Sequence, residues 1–181
     1  MPYLRFEDDA FDDACEAAGF QYDEPEGDTF DPAKLLPVSK ALLDRLVAAG
    51  ATGMYIKYDG GNDEGFSHPL TVLFGPALVE GRPVEDVAAE LGTTEFLAAL
   101  ASAAANRGSM WYQAESMFAD HSNPARVVGY AFDDLAFELA TSLLGEGFGT
   151  GEYSLYGAFT ADFRTNALTD HSDVERPADL D

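Results

Sequence analysis

Residues 54–74 read MYIKYDGGNDEGFSHPLTVLF, and the fold turns on how this stretch is read. Met54, Ile56 and Tyr58 alternate with Tyr55 and Lys57, a period of two that belongs to a strand. Leu70, Val72 and Phe74 alternate in the same way with Thr71 and Leu73. Between the two runs lie Asp59, Gly60, Gly61, Asn62, Asp63, Glu64 and Gly65. Gly and Asn accept positive φ, which a reversing loop needs at several positions. Two strands joined by such a loop predict an antiparallel hairpin.

Upstream, a helix is expected from Asp31, with Pro32 in the favoured first position. Leu35, Val38, Leu42, Leu46 and Ala49 share one face of it, and Lys40 and Asp44 the other. Pro37 is either tolerated near the first turn or restarts the helix. Gly50 closes it. Residues 8–18, DDAFDDACEAA, read as a short helix ended by Gly19, and residues 20–30 as an acidic loop. Downstream, residues 75–83 either extend the second strand or turn away from it. Helices are expected at 84–91, from Thr94 to Asn106 with Thr93 or Thr94 as cap, at 109–122, and from Pro124 to Leu144.

The last of these is apolar around most of its girth, with Asp134, Glu138, Thr141 and Ser142 as a narrow polar strip. Such a helix is buried on several sides, so it is expected at the centre, packed on the sheet. Asp133 falls within its apolar arc, either as a buried acid with a raised pKa or in the exposed first turns. Alternation resumes over Tyr153–Phe163, and Arg164-Thr165-Asn166 turns the chain into a final strand near 167–171. Strands at both ends of a helical block predict an α+β fold. Its expected form is an antiparallel sheet of about four strands with helices packed mainly on one face. Residues 1–176 read as one domain and 177–181 as an acidic flexible tail.

The chain has 181 residues, with 33 acids against 10 bases and a net charge of -23. Lys occurs only at positions 34, 40 and 57, and Ile only at 56. In dilute buffer such a surface repels itself. At about 1 M salt the screening length falls to ~3 Å and the repulsion is largely removed. Acid-rich, Lys-poor and Ile-poor composition resembles that of haloarchaeal proteins, which implies a salt-adapted domain. No basic stripe is present, so direct nucleic-acid binding is not expected. No apolar run approaches a membrane span, and the first residues lack a signal-peptide order. The expectation is a soluble, cytoplasmic protein. Cys15 is the only cysteine, expected as a small buried side chain.

The site-like stretch remains 59–68. A calcium hand started at Asp59 would place Gly61 at position 3, Glu64 at position 6 and Leu70 at position 12, so that match fails. A looser divalent-cation site is conceivable from Asp59, Asp63, Glu64 and His68, joined by His171 if the hairpin loop meets the last strand end. Turn chemistry explains the same residues more simply. The DGxxDxG pattern of Asp59, Gly60, Asp63 and Gly65 lies between two strands, with Gly157, Asp170, His171 and Arg176 following a helical block. In this it resembles an uncharacterised family of small bacterial and archaeal proteins, a domain of unknown function. The resemblance spans about residues 52–176 and implies an element order, not an activity.

The leading functional expectation is a protein-binding or accessory module without enzymatic activity or cofactor. The alternatives are an acidic mimic of DNA that occupies a nucleic-acid-binding protein, and a metal-dependent hydrolase using the 59–68 loop.

Overall fold

A computed structural model describes residues 28–61, 64–78, 80–110, 114–119, 121–146, 148 and 155–171. The expected helix at 8–18, Cys15, the loop residue Asp63, Arg176 and the acidic tail lie outside them. A 3-10 turn at Pro32–Lys34 precedes α1 (Pro37–Ala48). Then follow β1 (Ala51–Gly61), β2 (Glu64–Phe74), β3 (Glu80–Pro83), α2 (Val84–Leu91), α3 (Thr94–Ala105), α4 (Ala114–Ala119), α5 (Pro124–Leu144), β4 (Leu155–Asp162) and β5 (Ala167–Asp170). The strands form one antiparallel sheet in the order β3-β2-β1-β4-β5. The fold is α+β.

The sheet has five strands where about four were expected. The extra one is β3, whose four residues, Glu-Gly-Arg-Pro, carry no alternation to read. It pairs only with Thr71–Phe74 of β2. Pro37 restarts the helix: Asp31 caps the 3-10 turn, Leu35 and Leu36 are extended, and α1 begins at Pro37. Leu35 and Ala49 therefore fall outside α1, while Val38, Leu42 and Leu46 form its buried stripe. The expected helix over 109–122 is helical only at Ala114–Ala119 among the described residues. Thr93 caps α3, its hydroxyl accepting from the Phe96 amide.

Inner-face residues Met54, Ile56, Tyr58, Val72, Phe159 and Ala161 join the helices in one core. The helix α5 lies at its centre and buries eleven residues, against β2, α1 and α2. Val128, Ala131, Phe132, Leu135, Leu139 and Leu143 form its apolar face, as its sequence predicts. Transfer of each large side chain from water contributes about 1.5–3 kcal/mol. Asn123 caps α5 and Pro124 opens it. No helix among the described residues is long and apolar enough to cross a membrane.

The β1–β2 register contains the feature that positions the site. Tyr55 pairs with Thr71 and Ile56 with Pro69, so Leu70 has no opposite number. This one-residue bulge reverses the facing of every β2 side chain before it. Continued alternation from Val72 would turn His68 and Phe66 toward the helices. The bulge instead sets His68 opposite Lys57 and Phe66 opposite Asp59, on the outer face. Pro69 and Ser67 turn inward opposite Ile56 and Tyr58.

Candidate functional site

The structure brings together part of the residue set expected at 59–68. Asp59 and His68 are diagonal neighbours on the outer face, and His68 Nε2 lies 2.5 Å from Asp59 Oδ1. Glu64 is exposed at the start of β2. His171 does not join this pair. Its Nε2 is hydrogen-bonded to Thr160 Oγ1 at 2.7 Å, and its ring lies 5.9 Å from that of Tyr55. Tyr55 and Asp59 are four residues apart on one strand, or about 13 Å. Asp170 faces the core, where its Oδ1 accepts the Tyr58 hydroxyl at 2.8 Å. Gly157 is buried opposite Tyr58. Among the described residues, no group of three or more His, Cys, Asp or Glu could hold a metal ion.

A second group of acids is better placed. Asp134 and Glu138 are four residues apart on α5 and so share one face, with Thr141 a turn further on. The sequence presents them as the polar strip of this helix. The structure roofs that strip with the start of α1 and with Ser109 and Met110. Asp134 is only 1% exposed. The Ser109 hydroxyl donates to its Oδ2 at 2.6 Å, while Oδ1 has no hydrogen-bond partner among the described residues. Burial pushes the Asp134 carboxyl up to about 7, against the Ser109 hydroxyl and the Met110 amide, which favour the charged form.

Glu138 has a structural duty. The residue before α1 is Leu36, whose side chain cannot cap a helix. The Leu36 amide donates instead to Glu138 Oε1 at 3.0 Å, across 102 residues of chain. Burial raises the Glu138 pKa, and the Ser39 hydroxyl and this amide oppose the rise. The cap was legible in one respect: a helix opening Leu-Pro needs an acceptor from elsewhere. Asp133, the residue read as either buried or near the exposed first turns, is half-buried. Burial raises its pKa and the nearby His68 lowers it.

Asp133 and Asp134 line a cleft of about 500 Å³ between α5 and β2. Gly65–His68 form one wall, and Met110 and Phe137 complete the lining. Gly65 is required there: a Cβ would stand 2.4 Å from the Phe148 carbonyl oxygen and 2.9 Å from its ring. Phe148 in turn packs on Phe137, with ring centroids 5.4 Å apart. Phe66 is 49% exposed and Met110 45%, so the mouth of the cleft carries two large apolar side chains in water. Leu70, at the bulge, is 37% exposed. Beside the cleft, residues 64–70 of β2 pair among the described residues with β1 alone, because β3 reaches only Thr71.

No family model matches this chain, and neither a curated protein nor a solved structure is similar to it.

Proposed function

We propose that this domain is a salt-adapted protein-binding module whose contact surface is the cleft beside the free edge of β2. The observation that carries the reading is the coincidence of a strand edge unpaired among the described residues with exposed Phe66 and Met110, which line one cleft. Of the four exposed large hydrophobics among the described residues, two line this cleft and a third, Leu70, lies on the same edge.

A free edge offers backbone donors and acceptors to an incoming strand, and adjacent pockets select its side chains. The same edge is a hazard between copies of the protein. Pro69 and the Leu70 bulge limit that hazard by interrupting the regular ladder, which leaves a short segment, 64–68, able to pair. The partner is therefore an extended peptide segment with an apolar side chain for the cleft. The net charge of -23 serves the solvent and keeps copies apart.

Selection from a displayed library of random peptides in molar KCl tests the reading, with Phe66→Asp protein for counter-selection. The expected result is a family of extended, partly apolar peptides that perturb the amide resonances of residues 64–68. Selected peptides that bind Phe66→Asp equally well, or perturb a different surface, would overturn it.

A further inference from the structure

The two sides of the sheet end differently. Beside β5, residues 28–30 close the ladder: the Leu168 amide donates to the Asp28 carbonyl at 2.7 Å and the Phe30 amide to the Asn166 carbonyl at 3.0 Å. Beside β2, residues 64–68 meet no third strand among the described residues. Glu64, Phe66 and His68 alternate along this segment on the outer face, and all three are exposed. Gly65 and Ser67, both small, turn to the inner face between them.

The order Glu-x-Phe-x-His is complementary to itself when the segment runs antiparallel to a second copy. A two-fold axis through Phe66 sets Phe66 opposite the partner's Phe66. Glu64 then faces the partner's His68, and His68 faces the partner's Glu64. Gly65 faces the partner's Ser67, so nothing bulky collides on the inner face. Aromatic pairs and opposite charges in directly opposed positions favour strand pairing. His68 Nε2 lies 2.5 Å from Asp59 Oδ1. A protonated imidazole donates from both ring nitrogens, so one His68 serves Asp59 and the partner's Glu64 together. The register with its axis through Ser67 is poorer. It sets Glu64 opposite the partner's Leu70 and draws Pro69, which has no amide hydrogen, into the ladder.

Going beyond the peptide-binding reading, we propose that two copies of this chain pair antiparallel through residues 64–68 of β2, with Phe66 on the two-fold axis. The contact uses the same segment of both copies, so it closes at two and does not propagate. Pro69 and the Leu70 bulge end the ladder on one side. Burial of Phe66, now 49% exposed, supplies the apolar contribution. The net charge of -23 on each chain opposes pairing in dilute buffer. Screening to ~3 Å at about 1 M salt removes most of that opposition, so the dimer belongs to high salt. A peptide on this edge and the partner's strand exclude one another.

Sedimentation equilibrium of the full chain in molar KCl tests the proposal. Five residues from each copy make a small interface, so the mass is expected to climb toward that of two chains with a midpoint between ~10 μM and ~1 mM. Phe66→Asp, with an unchanged core methyl spectrum, is expected to raise the midpoint at least about ten-fold, as is dilution to about 0.1 M KCl. In a mixture of isotope-labelled and unlabelled chains, contacts between copies are expected from Phe66 to the partner's Phe66 and from Glu64 to the partner's His68. A chain that stays monomeric to ~1 mM in molar KCl, a dimer indifferent to Phe66→Asp, or contacts between copies through other residues would each defeat the proposal. A monomer whose 64–68 amides still respond to selected peptides would defeat it alone, leaving the peptide-binding reading in place. A dimer in this register for which no peptide can be selected would uphold it and remove that reading.

Discussion

On the outer face of the sheet, Asp162 is held by Arg164, whose guanidinium donates to both of its carboxylate oxygens. That contact, with the Arg164 amide, draws the Asp162 pKa below its ordinary value. On the other side of the sheet, Asp134 sits under Ser109 and Met110 with no base beside it among the described residues, and burial raises its pKa to about 7. The two residues are chemically identical. The first is a partly buried acid with a cationic partner, and the second is a fully buried acid without one among the described residues. The difference teaches that negative charge does two jobs here. Most acids among the described residues are exposed, while a short row on α5 is built into the packing.

The sharpest way to break this comparison is salt. Exposed acids repel one another and are screened, whereas buried ones are shielded from the ions. Unfolding by urea from 0.1 M to molar KCl is expected to show stability rising by several kcal/mol. Asp134→Asn protein is expected to gain as much from salt as the wild type. A flat salt response would remove the division of labour, and a response that depends on Asp134 would relocate it.

The next effect in size is pH dependence. Native Asp134 keeps its proton to about pH 7, whereas in the unfolded chain it releases it near 3.8. Between those values the native state binds more protons, so its contribution to stability is complete below about pH 4. It is lost as pH rises toward 7, up to about 4 kcal/mol in all. Asp133 and Glu138 shift in the same direction. Urea unfolding at fixed KCl from pH 4 to 8 should therefore show a shallower fall in Asp134→Asn than in the wild type. The variant should be the more stable at pH 8. Parallel profiles would mean that Asp134 is solvated.

Smallest is the cap. Glu138→Ala leaves the Leu36 amide without its acceptor and is expected to cost about 1–2 kcal/mol. The Leu36 amide should then exchange with solvent faster. Glu138→Gln, which keeps a carbonyl oxygen in place, is expected to stay within about 0.5 kcal/mol of wild type. Equal losses in both variants would show that the charge of Glu138, and not its acceptor, holds α1.

Much of the fold is legible one element at a time. Met54, Ile56 and Tyr58 are all fully buried on the inner face, as their alternation requires. The limits of α5, the Thr93 cap and the turn at Asn166, whose φ is +60°, also follow from local chemistry. The site is less legible. Alternation in Leu70, Val72 and Phe74 cannot reveal that Leu70 is skipped, because a bulge is defined against the partner strand. That slip carries His68 to the outer face beside Asp59. Likewise, Asp134 and Glu138 look like the wet side of a helix until α1 and the Ser109 segment cover them.

The sequence by itself determined the charge regime, the hairpin and the central helix, because each rests on composition or on spacing between near neighbours. Only the tertiary structure decided which acids lose their water, where β2 is bulged and how far β3 runs along it. Those properties depend on segments as far apart as Leu36 and Glu138, brought into contact by packing, and no local period encodes them.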